Sequence, residues 1–253
     1  MITAGIRTFG RSFVEVCNHV GDMNQRIFVE RLAARLQGPF LEVGSRNYGT
    51  TQDLRCLFGS DCEYIGVDME AGPGVDIVLD LTQDFACIDE RLGRRRFGAI
   101  FCLSVLEHCD RPFQMADTLM HLLRPQGWLC IAAPFAWQIH NYPNDLWRFT
   151  PDGIRMLFPQ VEFSPDECRS ATARPGEFGA LDGDLGKVFF SFNEYRRRGH
   201  PVRGMAAEFL RLLSRMGLLR WLAGHRHVFV PTTVLMAGQR RDPADVKSDP
   251  KDG

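Results

Sequence analysis

The chain has 253 residues, 45% of them hydrophobic and 24% charged, an ordinary globular composition with room for one domain and an elaboration. Its formal net charge of −1 excludes a global electrostatic drive toward nucleic acid or anionic membranes. No apolar run approaches the ~18 residues of a spanning helix, and the first twenty residues carry Arg7, Arg11 and Glu15 without an apolar core; neither a membrane span nor a secretory signal is expected, and the chain reads as cytoplasmic.

Residues 1–37 read as helical, with Ile27, Phe28, Leu32 and Leu36 on one face and Asn24 as a candidate cap. Such a helix reads most simply as one that packs on a sheet. Residues 40–43 form a short apolar strand ending at Gly44, and Thr50 or Thr51 can cap a helix through Leu57 that Gly59 closes. Residues 64–67 form a second buried-type strand ending in Asp68, and residues 75–79 a third ending in Asp80. Glu42, Asp68 and Asp80 thus stand at the carboxyl ends of three strands, the edge at which open α/β sheets bind ligands. An acid closing the second strand can accept both hydroxyls of a ribose, and Gly44 lets backbone approach a ligand closely. The stretch reads as a nucleoside site. A dinucleotide fingerprint would need G-x-G-x-x-G after the first strand, and the glycine spacing here is wrong for it.

A short helix is expected within residues 82–96, with Arg94, Arg95 and Arg96 as its solvated end. Residues 97–104 give a fourth strand, residues 114–123 a helix, and Arg124-Pro125-Gln126-Gly127 a stop before a fifth strand over 128–133. The next segment is dense in polar and aromatic groups: Trp137, His140, Asn141, Tyr142, Asp145, Trp147 and Arg148. Asp145 and Arg148 are spaced for a local ion pair, and Thr150-Pro151-Asp152 is a helix start. Residues 161–163 or 168–173 supply a sixth strand. An insertion follows, containing an amphipathic helix over 205–222 and Arg196, Arg197, Arg198, Arg203, Arg211, Arg215, Arg220 and Arg226. Residues 228–236 return as a strand, and the end of the chain from Arg240 reads as a disordered tail. The arginines are either the wet side of a helix or a basic face for a phosphorylated or nucleic substrate. None of the eight cysteines forms a C-x-x-C pair, so neither a disulfide framework nor a metal site is expected.

Glu42-Val43-Gly44 with Gly49, then Asp68, then Asp80-Leu81, resembles the first three motifs of class I S-adenosylmethionine (SAM) dependent methyltransferases of the type 11-like kind. The resemblance continues through Ser104-Val105-Leu106-Glu107-His108 with Asp110-Arg111-Pro112, through L-x-P-x-G at 123–127, and through H-x-x-P-x-D-x-x-R-x-T-x-x-G at 140–153. It runs without a break over residues 39–134. It departs at Arg46, where a second glycine is usual, and at Tyr48. Arg46 facing the methionine carboxylate of the cofactor is one reading of that departure.

The resemblance implies a Rossmann-like three-layer α/β sandwich: a mostly parallel seven-stranded sheet with an antiparallel last strand, an N-terminal helix and a helical insertion before the last strand. It divides the chain into a helical cap (1–38), a methyltransferase domain (39–240, insertion about 187–226) and the tail (241–253). The cofactor would be SAM, held by Glu42, Gly44, Ser45, Arg46, Asp68, Met69, Asp80, Leu81 and Ser104. The methyl group would pass to an O, N or C nucleophile of a small-molecule or glycan-type acceptor. His140 is the first candidate base and His108 the second, although Glu107-His108 also reads as a loop-orienting pair. Asp145 would orient the ring of His140, and Arg148 would hold the loop or the acceptor. The alternatives are an inactive SAM-fold scaffold and an RNA-directed enzyme using the Arg-rich insertion, although the N-P-P-Y type of fourth-strand end is absent.

Overall fold

The computed structural model describes residues 13–49, 53–140, 144–172, 174–182, 185, 187–189, 192–197, 199–218, 227–229 and 231–242. In chain order the elements are α1 (Phe13–Leu32), β1 (Phe40–Val43), β2 (Tyr64–Asp68), β3 (Ile77–Val78), α2 (Phe85–Arg91), β4 (Phe97–Leu103), α3 (Pro112–Leu122), β5 (Leu123–Ala136) and α4 (Pro151–Leu157). β6 (Val161–Thr172), β7 (Phe178–Gly179), β8 (Lys187–Phe189), α5 (Phe192–Arg197), α6 (Pro201–Arg215), β9 (His227–Phe229) and β10 (Thr232–Arg240) follow.

One sheet has the order β3-β2-β1-β4-β5-β10-β6-β7. The strands from β3 to β5 are parallel, while β10 is antiparallel to both β5 and β6. The α/β sandwich and the antiparallel last strand agree with the sequence reading; the eighth strand is the short edge strand β7, antiparallel to β6. Strand order reverses between β1 and β4, and the crevice outside the carboxyl ends at such a switch point is where open sheets take ligands.

Period-two alternation along the strands sorts the core into two layers. Leu41, Val43, Ile65, Val67, Ile100 and Ile131 face the side on which α2, α3 and α4 pack through Ile88, Leu119 and Ile154. Phe40, Tyr64, Ala99, Phe101 and Cys130 face the other side, against Phe28, Val29 and Leu32 of α1. On that side Phe40 and Phe58 stack with ring centroids 4.1 Å apart, and Phe101 lies 5.5 Å from Phe58 and 6.3 Å from Tyr64. Rings in offset contact add to the energy of their burial.

Several expected boundaries move for identifiable reasons. Asn24 is not a cap. It sits inside α1, buried, and its amide nitrogen donates to Thr172 O and Arg174 O, both at 3.0 Å, while its oxygen accepts from Gly176 N at 2.7 Å. After β1 the described residues hold only a 3-10 turn, Arg55–Leu57, because Phe58 turns extended and enters the aromatic stack; Thr50 and Thr51 lie outside the described residues. The sixth strand is one 12-residue strand spanning both expected segments. The expected strand at 228–236 divides at Pro231, which has no N–H to give a ladder: β9 pairs with β8 in a separate two-stranded sheet, and β10 begins at Thr232. In α6, Met205, Phe209 and Leu212 are exposed. Residues 219–222 of the expected helix, Arg198, Arg220 and Arg226, and residues 243–253 of the tail lie outside the described residues. Among the described residues no helix is long and apolar enough to cross a membrane.

Candidate functional site

At the switch point, β1 and α1 form the two walls of a cleft. Glu42, Val43 and Gly44 line it from the β1 side and Asp22, Gln25 and Arg26 from α1, together with Leu54 and Leu103. The aromatic stack fixes Tyr64, and its hydroxyl donates to Glu42 Oε2 at 2.7 Å. Burial pushes the Glu42 carboxyl up to about 7, more than the Tyr64 hydrogen bond draws it down. Burial and the neighbouring Glu42 charge likewise push the Tyr64 phenol up.

Gly44 has φ +71°, and a Cβ there would stand 2.5 Å from Val105 Cγ2. Only glycine lets the chain leave β1 in that direction and lie so close to the loop after β4. Ser104, at the end of β4, has φ +54°, and its hydroxyl accepts from Gln25 Nε2 at 2.6 Å. The Ser45 hydroxyl is buried without a hydrogen-bond partner among the described residues.

Asp68 closes β2. Its Oδ2 accepts from Arg46 N at 3.3 Å and its Oδ1 from Glu70 N at 3.0 Å, so the loops after β1 and β2 are tied through one carboxylate. Burial raises its pKa, and the Arg46 amide partly offsets that. The Arg46 guanidinium pairs with Glu70 and lies 5.0 Å over the Tyr48 ring, engaged by its own loop. Asp80 Oδ1 accepts from Thr82 N at 2.8 Å and Thr82 Oγ1 at 2.7 Å. The structure therefore brings Glu42 and Gly44 to one cleft, joins Ser104 to it through Gln25, and sets Ser45 and Arg46 in the loop after β1 and Asp68 at the end of β2. Met69 is exposed, Leu81 is buried in the core, and neither they nor Asp80 line the cleft.

A second cluster forms beside the first. Leu146 N and Trp147 N donate to Glu107 O at 2.8 and 3.2 Å, Trp147 Nε1 to Cys109 O at 2.7 Å, and Phe149 N to Pro134 O at 3.0 Å. These bonds lash the segment after β5 onto the 3-10 turn Leu106–His108. The rings of His108 and His140 then meet edge to face, with centroids 5.0 Å apart. His108 Nδ1 lies 2.5 Å from Asn144 O. Asp145, its side chain 2% exposed, accepts from His140 N at 3.0 Å, stands 3.4 Å from His140 Nδ1, and pairs with Arg148 through two nitrogens, Nη2 at 2.7 Å from Oδ2. The guanidinium of Arg148 holds the Asp145 carboxyl down at about 2. Burial pushes the His108 imidazole down and the Glu107 carboxyl up to about 8. Glu107 is 1% exposed and its Oε2 has no hydrogen-bond partner among the described residues. Ser104, whose hydroxyl accepts from Gln25, stands three residues before Glu107, so the segment after β4 runs from the cleft into this cluster.

Asn141 and Tyr142 lie outside the described residues. The sequence reading included His108, His140, Asp145 and Arg148 but gave Glu107 only a loop-orienting role. It missed Gln25 entirely. A lone glutamine on an amphipathic helix carries no motif, and only the docking of α1 shows what it faces.

No family model matches the chain, and no curated protein matches it. Among solved structures it is similar to the N-methyltransferase NodS from Bradyrhizobium japonicum WM9 in complex with S-adenosyl-L-homocysteine, with 10% identity, 86% of each chain covered and a TM-score of 0.47. It is similar to a SAM dependent methyltransferase from Archaeoglobus fulgidus, with 15% identity over 85% of this chain and 94% of that one and a TM-score of 0.48. A third likeness is to 1,6-didemethyltoxoflavin-N1-methyltransferase from Burkholderia thailandensis, with 13% identity over 87% and 79% of the two chains and a TM-score of 0.44. At these identities and TM-scores the likenesses carry no weight for substrate or mechanism, which rest on the residues of the site.

Proposed function

We propose that this chain is a SAM-dependent methyltransferase acting on a small-molecule or glycan-type acceptor. The observation that carries the reading is the cleft at the switch point: a carboxylate and a side-chain-free turn on β1, Glu42 and Gly44, facing the Gln25–Ser104 pair, with Asp68 at the end of the neighbouring strand. These residues suit the cofactor. Glu42 offers a negative charge to the methionyl ammonium, Gly44 leaves backbone open to close approach, and Asp68 offers carboxylate oxygens to the ribose hydroxyls. Ser45, Arg46, Met69, Asp80 and Leu81 complete the set that the family resemblance implies. When bound, SAM supplies an activated sulfonium methyl group.

The protein's part is then alignment and control of the acceptor's proton. Holding acceptor and methyl group in line replaces a bimolecular encounter by an oriented one. On the acceptor side, Asp145 and the Asn144 carbonyl engage the Nδ1 atoms of His140 and His108, which leaves the Nε2 lone pairs to act on an acceptor that must lose a proton. Arg148 keeps Asp145 ionised and the segment in place.

Calorimetry of the full chain with S-adenosylhomocysteine tests the reading. Binding is expected, and Asp68→Ala, which removes a charge-assisted hydrogen-bond acceptor, should weaken it by about 1.5–3 kcal/mol. No heat of binding to folded wild-type protein, or an unchanged affinity in Asp68→Ala, overturns it.

A further inference from the structure

One donor atom from each of Glu107, His108 and His140 lies within 4.8 Å of the others, the one such grouping of histidine, cysteine or acid side chains among the described residues. We propose that these three residues form a divalent-cation site of the zinc, cobalt or nickel class, adjoining the cofactor cleft.

Three independent features point there. First, Glu107 is buried and presents an oxygen, Oε2, that nothing in the described protein satisfies. A buried, unpartnered carboxylate oxygen is costly unless a charge or donor meets it. Secondly, both rings have the arrangement of metal-ligating histidines. Nδ1 of His108 contacts a main-chain carbonyl at 2.5 Å, and Nδ1 of His140 faces the Asp145 carboxylate at 3.4 Å and Gln138 O at 3.3 Å. An oxygen at Nδ1 fixes the proton there and leaves Nε2 as the lone-pair donor, the pattern of outer carboxylates and carbonyls around bound metals. Thirdly, His108 Nε2 stands 3.9 Å from Glu107 Oε1. Ligands of one tetrahedral ion at ~2.0–2.1 Å lie roughly 3.3 Å apart, so loading draws in donor atoms that now lie within 4.8 Å of one another.

The donor set decides the ion. Two imidazoles and one carboxylate favour zinc and its first-row neighbours, whereas magnesium and calcium favour oxygen. Arg148 neutralises Asp145 at the back of His140, so once the ion displaces the proton of Glu107 the three ligands bring a single negative charge, and the ion would keep net positive charge and open positions. Those positions suit an acceptor bearing an oxygen donor, because a bound divalent ion lowers the pKa of an oxygen ligand. The two imidazoles would then act on the acceptor through the ion, in place of direct proton transfer to His140. The site stands on its own residues; its use in catalysis rests on the methyl-transfer reading.

The test is metal content and Co2+ absorption of the full chain, stripped with chelator and dialysed against Zn2+ or Co2+. One equivalent is expected in the wild type. Asp145→Asn should weaken binding about 10–100-fold, and the double variant His108→Gln/His140→Gln should abolish it while keeping the wild-type circular dichroism spectrum. Glu107→Gln serves as a third variant, and if it fails to fold the histidine pair decides alone. No stoichiometric metal in the wild type, equal binding in the histidine double variant, or a thiolate charge-transfer band placing Co2+ at one of the exposed cysteines Cys56, Cys62 or Cys87 overturns the site. Cofactor calorimetry on the same stripped samples separates the two proposals. Nucleoside binding without metal binding sinks this one alone, and metal binding without nucleoside binding sinks the methyltransferase reading alone.

Discussion

Glu42→Gln tests whether the cleft carboxylate meets the cofactor's ammonium group. The substitution keeps an oxygen for the Tyr64 hydroxyl, which donates to Glu42 at 2.7 Å, and removes only the charge. Because burial pushes the wild-type carboxyl up to about 7, a cationic ligand binding beside it must first displace a proton at lower pH. At pH 5.5 the ionised fraction is small and the affinity should be about thirty-fold below its value well above pH 7. Calorimetry with S-adenosylhomocysteine between pH 5.5 and 8 should show that slope in the wild type and a flat line in Glu42→Gln. 5′-Methylthioadenosine, which has no amino-acid end, should be flat in both. A flat wild-type profile, or the same slope in Glu42→Gln, refutes the contact. Stability gives a second readout with its own sign. The folded pKa lies above the unfolded one, so the contribution of Glu42 is fully present below about pH 4.5 and lost as pH rises through 7. Relative to Glu42→Gln the wild type should lose at most about 3 kcal/mol over that window, and less where the cleft admits water to screen the charge.

Gly44→Ala places a methyl group 2.5 Å from Val105 Cγ2 at φ +71°. It should cost about 1–3 kcal/mol in urea unfolding, with part of the loss recovered in Gly44→Ala/Val105→Ala; unchanged stability would show that the loop takes another path. His140→Ala should lower turnover about 10²–10⁴-fold with SAM affinity nearly unchanged, and loss of both together would mark the residue as a support of the loop. Replacing Arg196 and Arg197 with serine should leave activity on small acceptors intact. An RNA gel shift that persists near physiological salt and disappears in that variant would overturn the small-molecule assignment, since phosphate contacts carry a steep salt dependence.

The architecture was legible because its signals are local. Short apolar runs at 40–43, 64–67 and 97–103 end at Gly44, Asp68 and Ser104, and each is a strand that leads to the site edge. The Thr150 cap was equally plain, its hydroxyl accepting from Gly153 N at 3.0 Å. Errors arose where distant packing overrode local propensity. Asn24 has the chemistry of a cap but serves residues about 150 positions away. Of the helix expected after β1, the described residues keep a 3-10 turn at Arg55–Leu57, which leads directly into Phe58 stacked on Phe40. Motif spacing exposed His108, His140 and Asp145 singly. Their convergence with Glu107 depends on main-chain bonds from residues 146 and 147 to the carbonyl of Glu107, and no sequence pattern encodes those.

The position of Asn24 and Gln25, adjacent on α1, has a consequence for the order in which the protein becomes competent. Asn24 is anchored by Thr172, Arg174 and Gly176, while Gln25 reaches Ser104. During synthesis the helix emerges first, yet its anchor emerges about 150 residues later, so the wall it contributes to the cleft is set only once the far edge of the sheet has been laid down. A chain arrested before β6 would carry every nucleoside motif and still lack a fixed cleft. Ligand capture thus reports that the whole sheet has been assembled.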